Sequence, residues 1–482
     1  MSGGRQVERT LLVWGALPQN PKILSIFEQL LPLLGQHGVL LGADVPESHA
    51  RDWSSATPCR PELLLRPSDT SQLSTALRVC HEQGQPLAIQ GGLTGLCGGA
   101  TPQAGEVALS TARMNRIEEL DVIGSTATVQ SGVILESLQR AASEVGLSFP
   151  LDFGSRGSCT LGGNLACNAG GNSVIRYGVA RELCLGLEVV LADGTVLTHL
   201  NRMTKNTSGF DLKQLFIGSE GVLAVISRAV LRLYPALQDK ATALVAADSF
   251  GQVLQTLQRA RTELGASLTA FEVMWANYLL EVRARLPAVR MPLETDAGAP
   301  AFAILLELES HQGATQSLTD FLERALAADI ISDGVVAQSQ TQAEEFWALR
   351  DAVAQLLQLY PRSMAFDLSL PLKTMQAYSE QVALALKKNF PNMTALCLGH
   401  LGDGTLHYII DAPDDGSKKP ILELVLQPLR DHGGAVSAEH GIGVAKRDYL
   451  HLSRSPAEIE QMRRLKALLD PRAILNPGRV FS

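Results

Sequence analysis

The sequence predicts an α+β protein with two sheet-containing domains and a helical C-terminal segment. Its 482 residues suffice for two large domains or three of ordinary size. Short apolar runs alternate with stretches of helical periodicity along most of the chain, and glycine is concentrated in a few loops. Hydrophobic residues make up 46% of the chain and charged residues 19%, so the composition is that of a globular protein rather than a disordered one.

The first half is predicted to be one domain preceded by a helical lead-in. Residues 1–56 are expected to form an amphipathic helix, Pro21–Leu34, followed by polar connections that carry no site chemistry. A strand, a helix preceded by a Pro-Ser-Asp cap and a second strand follow at Leu63–Leu65, Thr70–Gln83 and Leu87–Ile89. Because further short strands continue to Pro235, residues 57–236 are predicted to form an α+β domain rich in tight glycine loops.

The second half has a more regular alternation of strands and helices. Apolar runs are followed by helical patterns, for example Phe302–Leu308 by Thr315–Ala328. This order predicts a sheet covered by helices over residues 237–440. Residues 441–482 form a separate C-terminal segment that contains a predicted helix, Pro456–Leu469.

The charge and the cysteines exclude several classes of protein. The net charge is −8, so no basic excess exists to bind nucleic acid or an anionic membrane. Seven cysteines without any C-x-x-C pair indicate neither a disulfide framework nor a cysteine zinc site. Because the sequence shows no signal peptide and no uninterrupted apolar run of about 18 residues, we expect a soluble cytoplasmic protein. A homodimer is the default assembly.

Two glycine-rich loops, Gln90–Ala100 and Gly154–Gly171, have the composition of a phosphate-binding cradle. Glycines allow positive φ, and successive exposed N–H groups form concave nests for phosphate oxygens. Leucines within both loops must pack, which favours a structured cradle over a flexible linker. Since no Gly-Lys pair occurs in the chain and neither loop contains G-x-G-x-x-G, we expect neither a Walker A loop nor a Rossmann crevice.

A histidine-bearing segment is predicted to be a hairpin. Asp403-Gly404 is a strong two-residue turn signal, and such a turn would place His400 directly opposite His407. Glu439-His440 follows later in the chain among small residues. Two imidazoles and a carboxylate are a reasonable ligand set for a divalent metal, with one coordination position left for substrate. The alternative is a satisfied polar network without a catalytic role.

These motifs resemble those of the FAD-dependent D-2-hydroxyacid dehydrogenases, whose flavin-binding fold is of the vanillyl-alcohol oxidase and p-cresol methylhydroxylase type. The resemblance covers residues 57–482 and is carried by both glycine loops, Gly218–Gly221, Gly399–His407, Ala438–Gly443 and Leu475–Gly478. It implies a two-part FAD-binding domain, a substrate domain with an antiparallel sheet covered by helices, and a C-terminal segment that returns to the FAD-binding domain.

The resemblance also implies a site for FAD, with the pyrophosphate on the first glycine loop and the flavin and ribityl chain near the second. The residues that match cofactor-binding positions are Gln90, Gly91, Gly92, Leu93, Thr94, Gly95, Gly98, Gly99, Pro150, Asp152, Ser155, Ser158, Cys159, Gly162, Gly163, Asn164, Ala166, Asn168, Gly170, Glu220, Gly221, Val225 and Asn476. Several proteins of this fold attach FAD covalently through a histidine in the first loop. This loop has none, so we expect non-covalent FAD, with Cys97 as a remote alternative.

The same resemblance implies the catalytic residues. The family's zinc ligands match His400, His407 and Glu439, and its catalytic base matches His440. Its carboxylate-binding arginine matches Arg350, for which the alternative is an ordinary helix-surface arginine. The implied reaction oxidises a D-2-hydroxyacid: His440 takes the proton of a hydroxyl acidified by the metal, and hydride passes from C2 to flavin N5. The expected electron acceptor is an electron-transfer flavoprotein or a quinone.

The substrate is less closely defined than the reaction. Phe366–Pro371 resembles the D-2-hydroxyglutarate branch of the family, but Ala365, Ala354 and Ile409 replace a lysine, a threonine and an asparagine of that branch. Each change removes a polar group from the expected acid pocket, which favours a different or less polar side chain unless Arg362 or another cation substitutes. D-2-hydroxyglutarate is therefore the first candidate, and D-lactate or another less polar D-2-hydroxyacid the second. An alternative of another class is a non-catalytic flavin-binding subunit of a glycolate-oxidase-like complex, which predicts loss of metal or base residues that are present here.

Overall fold

The computed structural model describes residues 20–293 and 298–481, so the first 19 residues of the expected lead-in lie outside the described residues. The chain divides into two units. The first comprises Met1–Gly170, Val179–Ala236 and Glu439–Ser482, and the second comprises Gly171–Gly178 and Leu237–Ala438. In the described part of the chain, no helix combines the length and the apolar character needed to cross a bilayer.

The strands and helices are numbered in chain order. The strands are β1 Val39–Leu41, β2 Leu63–Leu65, β3 Leu87–Gln90, β4 Val107–Ser110, β5 Ile117–Asp121, β6 Thr126–Gln130, β7 Leu147–Ser148, β8 Cys184–Val190, β9 Val196–His199, β10 Val225–Arg232, β11 Tyr234–Pro235, β12 Asp239–Ala247, β13 Leu268–Trp275, β14 Phe302–Ser310, β15 Asp333–Val336, β16 Ser363–Ser369, β17 Thr394–His400 and β18 Thr405–Asp411. The helices are α1 Pro21–Leu34, α2 Thr70–Gln83, α3 Leu135–Glu144, α4 Leu161–Cys167, α5 Val174–Tyr177, α6 Ala180–Leu183, α7 Lys213–Phe216, α8 Phe250–Glu263, α9 Ala276–Arg285, α10 Ala314–Ala327, α11 Gln340–Asp351, α12 Val353–Leu359, α13 Leu372–Asn389, α14 Lys418–Leu426 and α15 Pro456–Leu469.

The first unit contains two main sheets. One has four strands in the order β1-β2-β4-β3, in which β2 and β3 both run parallel to β4. The other has five antiparallel strands in the order β5-β6-β10-β8-β9. Helix α2 connects β2 to β3 and confirms the predicted strand–helix–strand unit. Its bounds follow from local signals, because Asp69 caps its first turn and Gly84 ends it in the left-handed region.

The C-terminal segment is built into the core of the first unit. Leu475 forms a parallel bridge with Leu87 at the start of β3 and is fully buried. The side-chain oxygen of Asn476 accepts a hydrogen bond from the amide of Ile89 at 2.8 Å. The chain terminus therefore supports the strand from which the first glycine loop departs.

The second unit is built on one seven-stranded sheet in the order β15-β12-β14-β13-β17-β18-β16, and all of its strand pairs are antiparallel. An apolar core joins this sheet to α9, α11 and α12 through residues such as Tyr278, Phe346 and Leu356. This arrangement confirms the predicted α+β class and the antiparallel sheet covered by helices. It also places the ends of β13, β17 and β18 at one end of the sheet, where the candidate histidines lie.

Candidate active site

The first glycine loop leaves the end of β3 and packs directly on the second. A Cβ atom at Gly92 would overlap the carbonyl oxygen of Ser158, and one at Gly91 would lie 2.7 Å from Thr160 Oγ1. Glycine, which has no side chain, is what permits two backbones to approach in this way. The two loops therefore form one continuous backbone surface.

Two buried hydroxyl groups at this surface fit a bound ligand. Thr160 Oγ1 and Ser131 Oγ have no hydrogen-bond partner among the residues that the structure describes. A buried polar group without a partner costs about 1–3 kcal/mol, so such groups usually serve a water or a ligand. Neutral donors beside glycine backbone match the chemistry of a phosphate-bearing cofactor and require no lysine.

The lead-in contributes to this cradle, which corrects the expectation that residues 1–56 carry no site chemistry. The side-chain amide of Gln90 donates to the carbonyl oxygens of His49 and Ala100, each at 3.0 Å. The buried carboxylate of Asp52 accepts from the Ala100 amide at 3.2 Å and from the Thr101 hydroxyl at 3.0 Å. Both ends of the first glycine loop are thus held by polar contacts from residues 49–52.

The second glycine loop continues into α4, and its polar side chains have varied partners. The Asp152 carboxylate pairs with Arg156 at 2.9 Å and is partly exposed. Asn168 has a φ of 52° at the end of α4, and its side-chain oxygen accepts from the Arg181 amide at 3.0 Å. The buried Asn164 amide points at the sulfur of Cys159, 3.6 Å away. Asn168 therefore ends the helix, whereas Asp152 lies at the loop surface.

The other predicted cofactor-binding residues fall on the same few elements. Leu93, Thr94, Gly95, Gly98 and Gly99 lie on the first loop. Ser155, Ser158 and Gly170 lie on the second, with Gly162, Gly163 and Ala166 in its helical part, α4; Pro150 precedes the second loop, and Val225 starts β10.

Glu220 and Gly221 form a turn between α7 and β10. The Glu220 carboxylate is buried and accepts hydrogen bonds from the amides of Ile442 and Gly443, each at 2.7 Å. Burial raises the pKa of this carboxyl, and the two amide donors oppose that shift. Glu220 thus holds the backbone that follows His440.

The histidine hairpin forms, but its predicted register is wrong. His407 pairs with Leu398 across β17 and β18, not with His400. The connection spans four residues, because His400 and Thr405 end their strands and the amide of Asp403 bonds back to the His400 carbonyl oxygen. A shift of two residues keeps the side chain on the same face of the sheet. The two imidazoles therefore still meet, with ring centroids 5.1 Å apart and planes at 84°.

A buried glutamate orients the first histidine. Glu272 lies on β13 opposite His400, and His400 Nδ1 donates to its carboxylate at 2.7 Å. Arg350 donates to the other carboxylate oxygen at 2.9 Å. Burial alone would raise the pKa of Glu272, but the charges and hydrogen bonds of His400 and Arg350 outweigh it and hold the pKa below its ordinary value. With Nδ1 assigned as the donor, Nε2 of His400 carries the lone pair and is the atom that could bind a metal.

Arg350 lies at the end of α11, largely buried beside this pair. Besides Glu272 it contacts the Asp351 carboxylate at 3.1 Å and His400 Nε2 at 2.8 Å. The interpretation of Arg350 as an ordinary surface arginine is therefore wrong. Only 11% of its side chain is exposed, and its guanidinium group pairs with the carboxylates of Glu272 and Asp351.

His400, His407 and Glu439 each offer one ligand atom, and these atoms lie within 4.8 Å of one another. Glu439 follows Ala438, the last residue of the second unit, by a peptide bond. Two imidazole nitrogens and one carboxylate oxygen are suitable donors for zinc and related divalent cations. His440, the next residue, is one-third exposed, and its Nε2 lies 4.0 Å from the Glu439 carboxylate. The residues therefore fit the metal that the resemblance implies.

Sequence reasoning missed Glu272, Asp367 and Asp52, all of them buried carboxylates. Glu272 and Asp367 interrupt the apolar runs of β13 and β16 with a single acid each. A lone acid inside an apolar strand is a usable signal, because a buried charge must have a partner. The partner of each acid is distant in the sequence, and neither Glu272 nor Asp367 was predicted as a site residue.

Comparison with known proteins identifies the family. Residues 61–199 match the family described as FAD binding domain, and residues 236–480 match FAD linked oxidases, C-terminal domain. The chain belongs to the FAD-linked oxidases. It is accordingly an FAD-dependent oxidoreductase, and the predicted flavin cofactor and enzyme class are confirmed.

Individual relatives of this FAD-linked oxidase carry the name D-2-hydroxyglutarate dehydrogenase. The mitochondrial protein of Bos taurus is 38% identical over 433 residues, which are 89% of this chain and 78% of that protein. The protein of Stutzerimonas stutzeri is 34% identical over 466 residues, which are 95% of this chain and 99% of that protein. These relatives confirm the predicted family.

Solved structures confirm the fold at much lower identity. p-Cresol methylhydroxylase with substrate bound aligns with a TM-score of 0.74 and 17% identity, over 96% of this chain and 98% of that one. Alkyldihydroxyacetonephosphate synthase aligns with a TM-score of 0.73 and 18% identity, over 96% of this chain and 86% of that one. The predicted flavin fold of the p-cresol methylhydroxylase type is therefore confirmed.

Proposed function

We propose that this FAD-linked oxidase oxidises a D-2-hydroxyacid to the corresponding 2-oxoacid with the help of a divalent metal. The observation that carries the proposal is the group formed by His400, His407 and Glu439, with His440 directly after it. The relatives named D-2-hydroxyglutarate dehydrogenase support the substrate class, and D-2-hydroxyglutarate is the first candidate. A non-catalytic flavin-binding subunit is disfavoured because no member of the metal and base set is missing.

The two glycine loops would hold FAD without a covalent bond. Thr160 and Ser131 supply buried hydroxyl groups, and the backbone of Gly91 and Gly92 lies against the second loop. When bound, FAD supplies the acceptor for the two electrons and the hydrogen that leave C2 of the substrate. The role of the two loops in this proposal is to bind and orient the cofactor.

His400, His407 and Glu439 would hold the metal, for which zinc is the first candidate. A bound divalent cation supplies a Lewis acid that lowers the pKa of the substrate hydroxyl, as it lowers that of water to about 7 in zinc enzymes. Glu272 fixes the ring of His400 so that Nε2 is presented as the ligand. Arg350 Nη2 lies 2.8 Å from Nε2 and 3.2 Å from Nδ1 of the same ring, so the guanidinium also rests against the His400 imidazole.

His440 would accept the hydroxyl proton at a ring nitrogen. Its position next to Glu439 places a base within one residue of a metal ligand, and its partial exposure gives the proton a route to solvent. Arg350 would bind the substrate carboxylate, for which a planar guanidinium is a bidentate partner. Its ion pairs with Glu272 and Asp351 fix the orientation of the guanidinium.

Glu272→Gln is expected to weaken metal binding about 10- to 100-fold, because an amide holds the His400 ring less firmly than a carboxylate. The dissociation constant for zinc, measured by competition with a chromophoric chelator, checks this prediction. Glu307→Gln is a matched control: this glutamate is also buried in the same sheet but bonds Trp347 and Lys240 instead. An unchanged zinc affinity in Glu272→Gln would remove Glu272 from the metal site.

The candidate substrates share the 2-hydroxyacid group and differ in their side chain. Ala365 pairs with Ile409 across β16 and β18, two residues from the pair formed by Asp367 and His407. Ala365 and Ala354 are exposed, and Ile409 is buried. These positions offer no cation to a second carboxylate, which is the reason to keep D-lactate or another less polar D-2-hydroxyacid as the second candidate.

A panel of D- and L-2-hydroxyacids under anaerobic conditions tests the proposed function. The flavin absorbance near its visible maximum should bleach with D-isomers and not with L-isomers. We expect bleaching by D-2-hydroxyglutarate, by D-lactate or by both, and their rates rank the two candidates. Reduction by L-isomers alone would contradict the stereochemistry, and no reduction by any 2-hydroxyacid would contradict the substrate class.

The partners of the reduced enzyme remain predictions. The relatives are named dehydrogenases, which supports an acceptor other than oxygen, and we propose an electron-transfer flavoprotein or a quinone. Anaerobic reoxidation of the reduced flavin by each acceptor distinguishes them.

We propose that the protein is a homodimer and that it is located in the cytoplasm. A monomer mass in light scattering would contradict the homodimer.

A further inference from the structure

The dipeptide Glu439-His440 lies where the chain passes from one unit to the other. The second unit ends at Ala438 and the first resumes at Glu439. Residues 437–443 belong to no helix or strand, so no ladder of backbone hydrogen bonds fixes the two side chains. A ligand and a base on such a segment need other contacts to hold them to within a fraction of an ångström.

On the upstream side, the segment is held by Asp367. This aspartate is buried on β16, next to His407 in the register of the sheet. Its Oδ2 accepts from the Ser437 hydroxyl at 2.8 Å and from the Ala438 amide at 3.2 Å. The last residue before Glu439 is therefore anchored to the sheet that carries the histidines.

On the downstream side, the segment is held by Glu220. The two oxygens of this carboxylate accept from Ile442 and Gly443, each at 2.7 Å. Gly441 has a φ of 81°, and a Cβ atom there would lie 2.9 Å from the Glu220 carboxylate carbon. The carbonyl oxygen of Gly441 also accepts a hydrogen bond from the Cys97 thiol at 3.1 Å. The backbone after His440 is therefore anchored within the first unit.

We propose that Asp367 and Glu220 are positioning residues with separate tasks, Asp367 for the metal ligand Glu439 and Glu220 for the base His440. The proposal rests on the function proposed above. The Asp367 carboxylate accepts from the Ala438 amide directly before Glu439, and the Glu220 carboxylate accepts from the Ile442 amide two residues after His440. Loss of one anchor frees one end of the segment, and the side chain at that end loses its position first.

Asp367→Asn and Glu220→Gln test this division, with zinc affinity and kcat at saturating zinc measured for each holoenzyme. Asp367→Asn is expected to weaken zinc binding about 10- to 100-fold, with kcat restored by excess zinc. Glu220→Gln is expected to lower kcat per bound FAD about 10- to 100-fold, with zinc affinity unchanged. If the two carboxylates had only a structural role, both variants would lose thermal stability, but zinc affinity and kcat would not respond differently to the two substitutions.

The controls are buried or partly buried carboxylates elsewhere in each unit. Asp239→Asn removes a carboxylate that accepts from the Ala314 amide, and Glu188→Gln removes one that bonds Ser227 and Thr70. Both should leave zinc affinity and kcat unchanged. Should the main variants fold poorly, Ser437→Ala removes one donor to Asp367, and Glu220→Asp keeps the charge but shortens its reach.

Three outcomes overturn the inference. In the first, both variants change the same quantity equally; in the second, neither differs from its control; in the third, their effects are exchanged. A wild-type enzyme that binds no zinc would contradict the proposed metal and with it the task assigned to Asp367. The role of Glu220 would then be tested by the kcat of Glu220→Gln alone. Failure of the proposed metal-dependent function can therefore be told apart from failure of the proposed roles of Asp367 and Glu220.

Discussion

His440→Ala is expected to lower kcat by about 10²–10⁴-fold, the usual contribution of a general base. The reason is that no other group next to Glu439 in the chain can accept the hydroxyl proton in its place. FAD content and zinc content should stay at wild-type values, because His440 is assigned to neither site. Steady-state kinetics with the best D-2-hydroxyacid, together with flavin absorbance and metal analysis, check the prediction.

A second histidine provides the control for this variant. His451 lies in the same C-terminal segment, is exposed, and its Nδ1 hydrogen-bonds the backbone carbonyl oxygen of Asp448. His451→Ala should leave kcat unchanged. Full activity in His440→Ala would remove this residue from the mechanism, and loss of zinc from the variant would assign it to the metal instead.

Removal of the metal is expected to lower turnover by two or more orders of magnitude, because the Lewis acid contributes several kcal/mol to the reaction. Dialysis against a chelator should produce an enzyme that retains its flavin spectrum and its fold but does not bleach with substrate. Addition of zinc should restore the rate. The measurement is anaerobic flavin reduction before and after dialysis, with metal content determined on the same samples.

A ligand variant separates the bound metal from other effects of the chelator. His407→Ala removes one of the three donor atoms, so its zinc affinity should fall and chelator treatment should change its residual rate little. His432→Ala removes a histidine that bonds Gln381 and should respond to the chelator as the wild type does. Undiminished turnover in metal-free wild type would refute the metal-assisted reaction and leave an FAD-linked oxidase of another mechanism.

Local signals in the sequence predicted many elements well. Helices α1 and α2 have the predicted bounds because caps, glycine and 3.6-residue periodicity all lie within the helix or next to it. The hairpin at Asp403-Gly404 was predicted from the same kind of signal, but its register was wrong. Tertiary contacts of the four-residue connection, such as Gly402 to the Phe271 carbonyl oxygen, decide that turn, and they are not visible in its own sequence.

By itself, the sequence determined the class of fold, the two glycine loops and the kinds of side chain available for a metal and a base. Only the tertiary structure decided which carboxylates hold those side chains. Glu272 is 128 residues from His400 in the chain, and Glu220 is 222 residues from Ile442. Propensity, capping and periodicity act over a few residues, whereas a buried carboxylate takes whichever donor the packed sheets and loops bring to it.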